Sequence, residues 1–295
     1  MHLSRPLTLW SVVGLMACAS LAAARGDVLF VQFSHGNIGE YSSSGATLNA
    51  SLASVPLDWN AESLAVSGSD LFVAGNGAVA EYTTSGTLVN ASLIPIAGAI
   101  AVSGSDLFVA NGGTVGEYTT SGATINASLL SGLSYVNAIA VSGSDLFILS
   151  TSNSGNVSIG EYTTSGTTVN ASLISGLYED DPVDLAVSGS DIFVPNYNKG
   201  SISEYSTSGG TINPSLISGL GGGPVGIAIS GSDLYVTIPK DGIGEYTTSG
   251  ATVNASLVSG NFPWWIAVAP DVPEPSSLGG LALMSGWLLT RRRKT

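Results

Sequence analysis

Cysteine, histidine and positive charge are the scarce ingredients of this 295-residue chain. Its one cysteine, Cys18, lies in an apolar leader, so the remainder has no disulfide and must hold by packing alone. Past that leader the one histidine is His35. General acid–base chemistry draws on histidine more than on any other side chain, which disfavours the enzyme classes built on it. No nucleophile elbow, zinc-ligand spacing or phosphate-cradling glycine loop occurs. All 21 acidic residues lie between Asp27 and Glu274, a span whose basic residues are Lys199 and Lys240 alone. From Arg25 to Pro275 the formal charge is −18. That field repels nucleic acid and anionic membrane surfaces, and leaves cations, neutral glycans or basic proteins as partners. Long hydrophobic runs are also missing. The apolar segment near the C-terminus, Leu278 to Leu289, has twelve residues, against about 20 for an unstrained helix across a bilayer.

What the chain has in abundance is repetition. Two blocks, IAVSGSDLFV and IGEYTTSGATVNASL, recur in order. The glycine of the SGSD block falls at Gly68, Gly104, Gly143, Gly189 and Gly231, with a degenerate first copy at Gly26, a mean spacing of 41 residues. A period of roughly 40–50 built from short strands belongs to propeller blades rather than helical arrays. Each repeat reads as four strands. IAV and DLFV are continuously apolar, as strands covered on both faces are, and Gly-Ser between them suits a two-residue hairpin. GEYTT carries a charge and hydroxyls, Ser-Gly marks the next turn, and ATVNASL alternates. Burial is expected to fall steadily from the first strand to the fourth. After the leader the chain begins with a second-type strand, Val28 to Val31, and ends with an orphan first-type strand, Ile266 to Val268. Six complete blades exist only if that last strand joins the first blade. The expectation is an all-β fold: a six-bladed β-propeller of four-stranded blades, closed by the C-terminal strand, over residues 25–270. The blades resemble the NHL and virginiamycin-B-lyase-like propellers, a likeness of pattern that implies the fold more than any chemistry.

The two ends carry addresses. Arg5, the apolar stretch Leu7 to Ala19 and the small residues Ala22-Ala23-Ala24 read as a signal peptide over residues 1–24. Residues 271–295 hold Pro273-Glu274-Pro275, the short apolar segment, expected as a helix, and the basic cluster Arg291-Arg292-Arg293-Lys294. This arrangement closely resembles the PEP-CTERM sorting tail of Gram-negative bacteria, also catalogued as an ice-binding-protein C-terminal domain. The resemblance implies recognition by an exosortase and cleavage near the Pro-Glu-Pro triplet. It also implies association with the inner membrane on the way to the cell surface or an extracellular polysaccharide matrix.

The turns within SGSD and TTSG hardly vary between copies, whereas the connections at the opposite ends of the strands do. Variable loops on a constant scaffold are where binding resides. The candidate ligand-binding residues on that face are Trp59, Glu62, Tyr135, Tyr197, Lys199, Lys240, Trp264 and Trp265, a mixture of rings and polar groups that suits polysaccharide. The competing structural reading has Trp264 and Trp265 sealing the seam and Trp59 packing a long loop. Glu179, Asp180, Asp181 and Asp184 offer hard oxygen ligands for calcium, against a plain solvated acidic loop. No other cofactor is expected. The repeated Glu of GEY reads as a scaffold group satisfied between strands, and the Asp of SGSD as a turn residue taking local backbone hydrogen bonds. Asn-Ala-Ser sequons at Asn49, Asn90, Asn126, Asn170 and Asn254 read as copies of the repeat rather than glycan acceptors. The chain thus reads as an exported, non-enzymatic binding or scaffold module. A purely structural matrix role, and a metal-assisted lyase or carboxylate-based glycan enzyme, stand as alternatives.

Overall fold

The computed structural model describes residues 26–34, 36–55, 61–177, 180–260 and 262–269; the segments expected to be a signal peptide (1–24) and a sorting tail (271–295) lie outside the described residues. The described chain forms 24 strands in six four-stranded antiparallel sheets, the blades of a six-bladed β-propeller. The first blade is assembled from both ends of the body. Its innermost strand is β24 (Pro263–Ala269), followed outward by β1 (Val28–Phe33), β2 (Asn37–Ser42) and β3 (Thr47–Ser54). Val28 faces Ala269, and Val31 faces Ile266, in an antiparallel ladder. The other blades run continuously: β4 (Ala61–Ser67) to β7 (Leu88–Ile94), β8 (Ile100–Ser103) to β11 (Thr124–Leu130), and β12 (Tyr135–Ser142) to β15 (Thr168–Ser175). The last two are β16 (Ala186–Ser188) to β19 (Thr211–Ser218) and β20 (Ile227–Ser230) to β23 (Thr252–Ser259). The inner strands touch in ring order β24, β4, β8, β12, β16, β20 and back to β24, so the wheel is closed.

The core is six separate cores, one between each pair of neighbouring blades. This explains the unbroken apolar run of the second strands. In β1, Phe30 packs toward the second blade while Leu29 and Val31 pack toward the sixth, as the two-residue strand period requires. Burial does not fall steadily outward. The second strands are the most buried, whereas the inner strands β8, β16 and β20 are only half-buried beyond their first residues. An inner strand borders the central channel and has a neighbour on fewer sides; a second strand is sandwiched between two blades. The fourth strands form the solvent-facing rim.

The repeated polar residues prove to be turn and rim fittings. In all six TTSG-type turns the first hydroxyl accepts the backbone N–H four residues on, as Thr163 does from Thr167 at 3.0 Å. The Asp of SGSD takes its nearest hydrogen bond from the preceding serine hydroxyl (Ser69 to Asp70, 3.2 Å) rather than from backbone. Five of the GEY glutamates sit in an environment that disfavours their charge. Glu81, Glu117, Glu161, Glu204 and Glu245 are pushed up from the usual carboxylate range, first by desolvation and then by the neighbouring Asp70, Asp106, Asp145, Asp191 and Asp233.

A candidate binding cleft at the mouth of the central axis

Inner strands that are otherwise regular carry a β-bulge at their outer-face ends. In β4 the ladder to β5 (Asp70–Gly75) skips Glu62, in β12 the ladder to β13 (Asp145–Thr151) skips Asn137, and in β24 the ladder to β1 skips Trp264. The three residues occupy the same column of the repeat, five before the first serine of the S-G-S turn or its counterpart Ala269. A bulge places two residues opposite one and re-aims the extra side chain. Here all three line a cleft of about 590 Å3 at the mouth of the axis. The wall takes residues from every blade, including Gln32 and Ser34 of the first, Ala99 of the third and Val225 of the sixth.

The aromatic component is concentrated. Tyr135 and Tyr197 are largely exposed, at 59% and 41%, and Trp264 is 40% exposed, all three lining the cleft with Trp265. Trp265 also faces Gln32 in the seam ladder and packs on the core between the first and second blades. Of the paired tryptophans, Trp265 therefore serves the seam and the wall, while Trp264 presents surface to the cleft. Three left-handed non-glycine residues occur at this end of the wheel among the described residues, Asn76 (φ 49°) in the turn after β5, Asp181 (φ 48°) and Phe262 (φ 51°), a conformation that costs free energy and clusters at functional sites. The Phe262 carbonyl accepts the Ser34 N–H at 3.2 Å, which holds the loop to the end of β1.

Below the cleft a smaller cavity of about 110 Å3 continues along the axis, lined by Glu62, Asn137, Asp184 and Trp265 among others. Asp184 ties two blades together: its carboxylate accepts the N–H of Leu185 at 2.9 Å and of Ile227, across the blade boundary, at 3.0 Å. Burial pushes this carboxyl up to about 7, against the opposing pull of those two donors. Desolvation likewise raises Glu62 above the ordinary glutamate value.

The residues singled out in the sequence meet different fates. Glu62, Tyr135, Tyr197, Trp264 and Trp265 are brought together. Lys199 and Lys240 are not among the residues lining the cleft. Lys199 forms an ion pair with the buried Asp180, and Lys240 lies in the turn after β21 (Asp233–Ile238). The calcium candidates separate as well. Asp180 is engaged by Lys199, Asp181 lines the cleft and Asp184 the channel, and no group of three or more His, Cys, Asp or Glu gathers for a metal among the described residues. Trp59, Glu179 and the residues expected to form a sorting motif, Pro273, Glu274, Pro275, Arg291, Arg292 and Arg293, lie outside the described residues. No helix among the described residues is long and apolar enough to cross a membrane.

Gln32 and Asn137 were not anticipated. A signal existed for Gln32: its column otherwise holds Ala74, Ala110, Leu149, Pro195 and Thr237, so the one long amide stands out. It is 5% exposed, its Nε2 donates to the Phe33 carbonyl at 3.3 Å, and its Oε1 finds no hydrogen-bond partner among the described residues.

No protein-family model matches the chain, and no curated protein matches it. Solved structures do. The chain is similar to a component of a nidogen/laminin complex (TM-score 0.68, 14% identity, 83% of this chain and 98% of that one). It is also similar to a Bacteroides caccae protein of unknown function (0.62, 15%, 82% and 98%) and to a gluconolactonase from Xanthomonas campestris (0.56, 14%, 84% and 85%). At such identities the likeness establishes the six-bladed propeller body and nothing finer.

Proposed function

We propose that this protein is an exported, non-catalytic propeller that binds extracellular glycan in the cleft at the mouth of its axis. One observation carries the reading: Tyr135, Tyr197, Trp264 and Trp265 line the same cleft as Gln32, Glu62, Asn137 and Asp181. Aromatic rings cover the apolar faces of sugars while carboxylates and amides take their hydroxyls, and about 590 Å3 lies within the roughly 300–1,000 Å3 of small-ligand sites. The leader and the Pro273-Glu274-Pro275 tail support export and handling by an exosortase, with the cell surface or matrix as destination. A carboxylate-based glycan-cleaving activity has one observation in its favour, because Glu62 and Asp184 share the lower cavity and burial raises both, a condition for a general acid.

Calorimetry of the full chain against oligosaccharides from the host matrix tests both. Trp264→Ala is expected to weaken binding about tenfold, the usual loss on truncating an aromatic anchor, with the sugar recovered intact after long incubation. Undiminished affinity in that variant moves the site elsewhere, and shortened products replace binding by catalysis.

A further inference from the structure

The described lining of the cleft combines carboxylates, amides and aromatic rings with a few aliphatic side chains. Glu62 and Asp181 both line it, and among the described lining residues there is no Lys, Arg or His. The nearest lysine in sequence to that wall, Lys199, is held by Asp180. Nine-tenths-buried Gln32, another wall residue, has an amide oxygen without a hydrogen-bond partner among the described residues. A neutral sugar offers the two carboxylates hydroxyl donors but no opposite charge in exchange for their hydration. A uronic acid is repelled outright. A protonated amine reverses both penalties, since its three N–H groups meet carboxylates in charge-assisted hydrogen bonds and its charge is attracted to the faces of Tyr and Trp rings. The −18 charge of the body draws such cations to the protein as a whole.

We infer that the cleft selects a glycan bearing free, protonated amines, a polysaccharide of de-N-acetylated amino sugars, through the carboxylates of Glu62 and Asp181 set among Tyr135, Tyr197 and Trp264. The inference rests on the glycan-binding reading above and narrows it to one ligand class.

The test is calorimetric titration of the full chain, at low salt and a pH where the amine is protonated, with three hexasaccharides: glucosamine, N-acetylglucosamine and glucose. A lysine hexapeptide serves as a fourth probe. The glucosamine hexamer is expected to bind at least tenfold tighter than the other three. Glu62→Gln and Asp181→Asn should each erase most of that preference, the glucosamine hexamer losing clearly more affinity than the acetylated one; asparagine adopts the left-handed backbone of position 181 readily. Trp264→Ala should weaken all the sugars alike. Equal affinity for the three sugars overturns the amine inference and leaves glycan binding standing, and so does a preference that survives both carboxylate substitutions. Absence of binding to any sugar overturns the glycan reading itself. A peptide that binds tighter than the glucosamine hexamer replaces the amino sugar by a basic protein partner.

Discussion

Asn170 and its counterparts in the other five blades carry a local duty that accounts for the recurring Asn-Ala-Ser. In each fourth strand the asparagine Oδ1 accepts the backbone N–H of the serine two residues on, at 3.0–3.1 Å. The bond closes over an irregular stretch where the ladder to the third strand shifts register. Asn213 does so even though proline follows it. The motif is thus a backbone fitting present in six copies. Asn170→Ala should cost about 1 kcal/mol, read as a lower urea midpoint with unchanged slope. Asp184 gives a second residue-scale expectation. Its folded-state pKa of about 7 stands above the ordinary 3.8, so the protonated form is favoured in the folded state. Its contribution is complete below the unfolded value and disappears as pH rises through about 7. The five raised GEY glutamates act in the same direction from 4.5 upward. Unfolding free energy should therefore climb as pH falls from 8 to 5, and Asp184→Asn should flatten the part of that slope nearest 7. A stability that instead rises toward pH 8 refutes the assignment.

Between elements, the wheel's rim is held by one recurring contact. The TTSG glycine of each blade lies against the carbonyl of the leucine two residues after the bulged Ala or Pro of the preceding blade: Gly86 on Leu52, Gly166 on Leu129, and, across the seam, Gly45 on Leu257. These glycines are left-handed (φ 82–89°) and have no room for a methyl group. The SGSD glycine Gly143 is also left-handed, but nothing lies within 4 Å of a β-carbon there. Gly143→Ala should cost about 1 kcal/mol for the backbone alone, and Gly166→Ala about 3 kcal/mol or more, since backbone must also shift. Equal thermal shifts in the two variants would remove the blade-to-blade contact from the account. The same scale shows what was legible in the letters. Strand order, turn positions and the shared first blade follow from the repeat, because a two-residue period and a glycine are written directly. The bulges at Glu62, Asn137 and Trp264 are not. A bulge changes which way a side chain faces without changing composition, so the convergence on one cleft needed coordinates. Lys199 shows the converse: a cation that looks alone on a variable loop has a partner, Asp180, 19 positions away, which the letters do not place beside it.

For the molecule as a whole, closure decides everything that the cleft depends on. Six inter-blade cores exist only because β24 supplies Ile266 to the core between the sixth and first blades and Ala267 to the one between the first and second. Without it β1 keeps an open edge, and exposed strand edges invite pairing with other chains. Truncation after Gly260 should consequently yield aggregates in sedimentation and lose the cooperative thermal transition, although only the inner strand of one blade is missing. The complementary experiment keeps every strand and moves the ends. In the second blade Ser67 pairs with Asp70 across Gly68-Ser69, and in the first blade Ala269 pairs with Val28 with no covalent link between them. Joining Ala269 to Val28 through Gly-Ser, and opening the chain between Ser131 and Gly132 in the link from β11 to β12, makes all six blades contiguous. If the seam is an ordinary blade whose hairpin happens to be cut, this permutant should fold to the same far-ultraviolet spectrum and retain the glycan affinity of the parent. It should also tolerate the loss of residues beyond 269, which the linker replaces. A permutant that aggregates while the parent body remains monomeric would mean that the two ends do not meet as one hairpin, and the cleft they wall on one side would lose its foundation.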